Sequence, residues 1–142
     1  MMKWIIASLY FLLPLVSQSQ DIPDPDGKKE YKMVSIYFGG GSYFISDDEK
    51  EKVRAFFSNE ILSNYEIHIH SHTDNIGGVK FNEWLSKMRS ESTYDFLLDD
   101  GYPTNKLFIK DHGLENPEYD NNSWDGRLKN RRVDIVLWPL PF

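Results

Sequence analysis

The chain has 142 residues, a formal net charge of −6, a sequence pI near 5.1 and no cysteine. That length fits one globular domain plus a short targeting segment, and the charge argues against nucleic acid or an anionic membrane surface as partner. Without cysteine, disulfides, a thiol nucleophile and a cysteine-linked lipid anchor are all excluded.

Residues 1–20 read as a secretory signal peptide. Lys3 supplies the positive end, Trp4 to Val16 is mostly apolar, and Ser17-Gln18-Ser19-Gln20 follows. The apolar run is short for a bilayer of about 30 Å, and Pro14 interrupts it, so cleavage between Ser17 and Asp21 is expected. The export this implies places the mature chain in the periplasm or cell envelope with no lipid anchor. Residues 21–30 form a polar, proline-broken linker, and the folded domain is expected over 31–142.

Met33 to Phe38 has the apolar, β-branched character of a strand, ended by Gly39-Gly40-Gly41. Ser46-Asp47-Asp48-Glu49 has the spacing of a capping box, and Val53, Phe56, Phe57 and Ile61 follow at helical spacing. A helix is expected from about Asp47 to Leu62. In Tyr65 to His72, alternation sends Ile67 and Ile69 to one face and His68, His70 and His72 to the other. A second helix begins after Gly77-Gly78, with Phe81, Leu85, Met88, Ser92 and Phe96 as its apolar stripe, and Gly101 with Pro103 closes it. Leu107 to Ile109 begins a third strand. After a polar loop, Arg132 to Trp138 forms a fourth, with Val133, Ile135 and Leu137 on one face. The expected fold is an α/β two-layer sandwich of order β-α-β-α-β-loop-β, with a mixed four-stranded sheet and helices on one face.

The polar residues carry a resemblance. Ser71-His72-Thr73-Asp74-Asn75-Ile76-Gly77 resembles the Gly-His-Thr-Asp-x-x-Gly turn of OmpA-like peptidoglycan-binding domains. Phe81-Asn82-x-x-Leu85-Ser86-x-x-Arg89 resembles the helix that follows that turn, and Gly113-x-Glu115-x-Pro117 resembles a later segment. Asn130-Arg131-Arg132-Val133-Asp134-Ile135 is similar to the closing strand, and Tyr37-Phe38-Gly39 to the first strand of the peptidoglycan-associated lipoprotein branch. Three positions depart from the pattern. Ser71 replaces a glycine, which would restrict the backbone there, Gly39 replaces an aspartate, and Ser90 replaces an alanine.

The resemblance implies non-catalytic binding of the peptidoglycan stem peptide through diaminopimelate, whose far end carries an ammonium and a carboxylate. It assigns the ammonium to Asp74 and the carboxylate to Arg89, with Arg131 as second cation and Thr73, Asn82 and Phe38 completing the site. The residues are consistent with those roles. Asn82, Ser86 and Arg89 share one stripe of the second helix, and a guanidinium binds a carboxylate in two-pronged fashion. Asn130 would brace the turn, and no cofactor is implied.

Two other readings exist. His68, His70 and His72 on one strand face suggest a small zinc hydrolase with Asp74 or Glu66 as base. Against that, positions i and i+4 of a strand lie about 13 Å apart, far for one ion. Alternatively, Trp124 and Trp138 form a protein-docking surface on a divergent module that has lost wall binding and serves an outer-membrane or envelope complex.

Overall fold

The computed structural model describes residues 31–113 and 119–141. The expected signal peptide, the linker over 21–30 and most of the Gly113-to-Pro117 segment lie outside the described residues. Four strands, β1 (Lys32–Tyr37), β2 (Tyr65–His72), β3 (Leu107–Gly113) and β4 (Arg132–Pro139), alternate with helices α1 (Asp47–Ser58), α2 (Val79–Asp99) and α3 (Trp124–Asn130). The sheet order is β1-β4-β2-β3. β4 runs antiparallel to both neighbours, and β2 and β3 run parallel. The fold is the expected mixed sheet with a helical layer.

The core is where the alternation of the strands places it. Ile36, Ile67, Ile69, Leu107, Val133, Ile135 and Leu137 face α1 and α2, which contribute Val53, Phe57, Phe96 and Leu97. Because β4 is central, its other face is buried as well, and it carries Arg132, Asp134 and Val136. Asp134 accepts from Ser35 Oγ at 2.6 Å and from Arg132 Nε at 3.0 Å, and lies 3.4 Å from His72 Nε2. Burial alone would raise the Asp134 pKa, but the bonds from His72 and Ser35 and the Arg132 charge outweigh it and hold the carboxyl below its ordinary value.

Several boundaries and faces differ from expectation. α1 ends at Ser58, Leu62–Asn64 forms a separate 3-10 turn, and Ile61 is exposed between them. Ser46 caps α1 by accepting from the Glu49 backbone N–H at 3.3 Å. The Glu49 carboxylate, instead of closing the box, accepts from Tyr37 N at 3.0 Å and ties the helix start to β1. In α2, Leu85 and Phe96 are buried as expected, whereas Phe81 is exposed and Met88 and Ser92 are half-exposed. The buried face instead carries Asn82, Ser86, Arg89, Ser90 and Thr93. The expected polar loop contains α3, capped by Ser123, whose hydroxyl accepts from Gly126 N at 3.0 Å.

Candidate functional site

The site forms where the C-terminal end of β2 meets the ends of β1 and β4. Asp74 follows β2 and is buried. Its Oδ1 accepts from Ile76 N at 3.1 Å, an Asx turn, and its Oδ2 pairs with Arg131 Nε. Gly77, with φ 95°, completes the turn, and a side chain there would meet the Phe81 ring. Arg131 enters from the end of α3, with the Trp124 ring 5.1 Å from its guanidinium carbon.

Arg89 is 1% exposed. Its guanidinium donates to three backbone carbonyls: Ser42 at 2.9 Å, Gly39 at 3.1 Å and His72 at 3.2 Å. The Phe38 ring lies 5.0 Å away. Arg89 therefore ties the loop after β1 to the end of β2 as well as supplying charge. It forms no ion pair with a carboxylate among the described residues, and burial lowers its pKa to about 10, opposed by Asp74 and reinforced by Arg131. Among the described residues, two buried guanidiniums face one buried carboxylate, a cation in excess that favours an anionic visitor.

Thr73 and Asn82 flank this cluster, and each is 1% exposed. The Thr73 hydroxyl and both amide atoms of Asn82 have no hydrogen-bond partner among the described residues. Such atoms are uncommon in folded proteins and carry a cost of about 1–3 kcal/mol each. Three orphaned donors and acceptors beside an unbalanced guanidinium are what a polar, charged ligand would satisfy.

The structure thus gathers Thr73, Asp74, Asn82, Arg89 and Arg131 at one end of the sheet. Phe38 is buried beside them, with its ring against the Arg89 guanidinium. Ser71 lies inside β2, where no left-handed backbone is needed, and its hydroxyl bonds that of Ser86. Gly39 serves through its carbonyl. Asn130 braces as expected, donating to Tyr119 O at 2.9 Å and Asn121 Oδ1 at 2.8 Å. Sequence reasoning missed Trp124 as a wall over Arg131, and no local pattern announces that contact. It also passed over the Arg132–Asp134–His72 cluster, which the alternation along β4 does encode.

Along β2, the His68 and His70 rings lie 6.2 Å apart, and His72 points elsewhere. His68 pairs with Glu66 at 3.0 Å and stacks on Trp138, while His72 turns to Asp134. No group of three His, Cys, Asp or Glu residues among the described residues is placed to hold a metal ion. No helix among the described residues is long and apolar enough to cross a membrane.

Fold and site together define a small α/β module with a buried cluster of charged and polar side chains at the strand ends. Residues 37–131 match the OmpA family, and the chain belongs to it. It is 29% identical to the outer-membrane lipoprotein YfiB of Pseudomonas aeruginosa over 86% of this chain and 74% of that protein. It is 36% identical to the peptidoglycan-binding protein ArfA of Mycobacterium bovis, over 49% of this chain and 21% of that one. YfiB apart, the chain spans about a third or less of the curated relatives it matches. Among solved structures, the periplasmic domain of Helicobacter pylori MotB shares the fold with a TM-score of 0.64 at 21% identity, covering 77% of this chain and 74% of that one. The peptidoglycan-associated lipoprotein of Burkholderia pseudomallei does so with a TM-score of 0.63 at 24% identity, covering 72% and 88%.

Proposed function

We propose that this protein binds peptidoglycan without catalysis, holding the end of a stem peptide in the cleft between the Asp74 turn and α2, in the envelope of a bacterium that exports it. The observation that carries the reading is the set of orphaned atoms, Thr73 Oγ1 and the Asn82 amide, beside a buried guanidinium that has only neutral acceptors. Diaminopimelate suits the cleft. Its carboxylate would pair with Arg89 and Arg131, its ammonium with Asp74, and its remaining polar atoms with Thr73 and Asn82. Membership of the OmpA family and likeness to a peptidoglycan-binding relative support the ligand class.

Charge-assisted bonds contribute about 1.5–3 kcal/mol each. Two or three of them, less the ordering of a flexible peptide, give an affinity of roughly micromolar order. Density of sites on a polymer then raises retention.

Co-sedimentation with purified sacculi tests the reading. The mature protein is expected in the pellet, and Asn82→Leu and Asp74→Asn variants with native circular dichroism in the supernatant. A folded wild type that stays in the supernatant overturns it.

A further inference from the structure

One stripe of α2 is left over once core and cleft are accounted for. Phe81, Trp84, Met88, Ser92, Asp95 and Asp99 recur at helical spacing along the flank that borders the loop after β1, over a rise of about 27 Å. At its start the stripe is aromatic. Trp84 is 46% exposed, with the Tyr43 ring edge-on at 5.9 Å and the Phe81 ring inclined at 5.8 Å, and both partners are themselves exposed. At its end it is polar. There Ser92, Asp95 and Asp99, with Lys50, rim a cavity of about 310 Å³ whose walls are the apolar Tyr43, Phe44, Ile45 and Phe96, and Tyr43 joins it to the aromatic part. Exposed rings in mutual contact do not by themselves name a ligand, but what lies at each end does.

The aromatic end abuts the cleft. Phe81 sits against Gly77, which closes the Asp74 turn, and near Gly41, in the loop whose carbonyls hold Arg89. A polymer whose charged branch reached the Asp74 turn would have this stripe beside it for its main chain. Rings that face solvent offer an apolar surface, while the carboxylates, hydroxyl and ammonium beyond them offer acceptors and donors with no excess of positive charge. A pyranose has the matching chemistry, with an apolar C–H face and a rim of hydroxyls. A peptide main chain would look instead for an open strand edge, and a phosphorylated polymer would be repelled by Asp95 and Asp99.

We infer that the Tyr43–Trp84–Phe81 platform and the adjoining cavity form a saccharide subsite that takes amino-sugar rings of the strand to which the stem peptide is attached. This rests on the reading of the cleft as a stem-peptide site. The subsite makes the protein sensitive to how the peptide is presented, so peptide on glycan is preferred to peptide alone.

Calorimetric titration with three probes tests it: the free stem peptide, the same peptide on its amino-sugar disaccharide, and a peptide-free N-acetylglucosamine trimer. For wild type, the disaccharide-peptide is expected to bind about tenfold more tightly than the free peptide. Trp84→Ala and Asp95→Asn should abolish that advantage and leave free-peptide affinity unchanged. Equal affinities of wild type for the two peptide ligands, with no binding of the trimer, overturn the subsite. Weakening of both peptide ligands alike in Trp84→Ala overturns it too. Should the free peptide fail to bind while the trimer binds wild type and not Trp84→Ala, the stem-peptide reading falls and the saccharide subsite stands.

Discussion

Thr73→Val is expected to make the empty protein more stable and its complex weaker, a combination that an ordinary core substitution does not produce. The Thr73 hydroxyl is buried and has no partner among the described residues, so the folded state carries its desolvation, about 1–3 kcal/mol. Valine keeps the shape, removes that cost and buries a methyl group in place of the hydroxyl. Allowing for imperfect repacking, the net gain is about 1 kcal/mol, or roughly 4 °C in melting temperature for a domain of this size. In the complex the same hydroxyl would face a charged group, and its loss weakens binding about ten- to a hundredfold. Thermal melts followed by circular dichroism, with and without saturating stem peptide, read both effects from one sample. The variant should melt higher than wild type alone and lower than wild type with peptide. If it melts several degrees below wild type without ligand, the hydroxyl is already satisfied in the empty protein, and the argument from orphaned atoms fails.

Other substitutions separate structure from binding. Asp74→Ala leaves Arg131 buried without its carboxylate and is expected to cost about 3–5 kcal/mol in urea denaturation, so it is a poorer binding control than Asp74→Asn. Gly126→Ala would bring a Cβ within 1.8 Å of Asp120 O, and should displace α3 from the loop it caps, with a fall in melting temperature of more than 5 °C. Asp134 has its pKa depressed in the folded state, so its contribution is present above the unfolded value of about 4 and is lost as pH falls through the folded one. Urea midpoints measured from pH 6 to pH 2.5 should drop in wild type, with a flatter acid limb in Asp134→Asn. Arg89→Lys keeps the charge but not the three-carbonyl fork, and should lower both stability and peptide affinity in the same melts.

What was legible followed from how local each feature is. β2 was readable to the residue because Ile67 and Ile69 alternate with three histidines and turn residues bound both ends. The Asn82–Ser86–Arg89 stripe was readable because helical spacing fixes which residues share a flank. The stripe expected on α2 was right at Leu85 and Phe96, which are buried, and wrong at Phe81, which packs against the Gly77 turn at the helix start and stays exposed. α3 was missed because a seven-residue helix with Gly126 inside offers little propensity or periodicity; capping by Ser123 and packing against residues 119–121 form it. The double role of Arg89 was hidden for a different reason. Its partners are carbonyls of Gly39, Ser42 and His72, and backbone acceptors leave no mark on side-chain identity.

The strand order has a consequence for how the molecule comes into being. β4, the last strand in the chain, fills the gap between β1 and β2, and Lys32 pairs with Leu137 across nearly the whole length of the domain. Until residues 132–139 are available, β1 has no partner in the sheet, Arg131 cannot reach Asp74, and the two halves of the apolar core have no strand to join them. Such long-range closure slows folding and makes it all-or-none. A partly synthesised or partly threaded chain therefore has no native sheet to settle into.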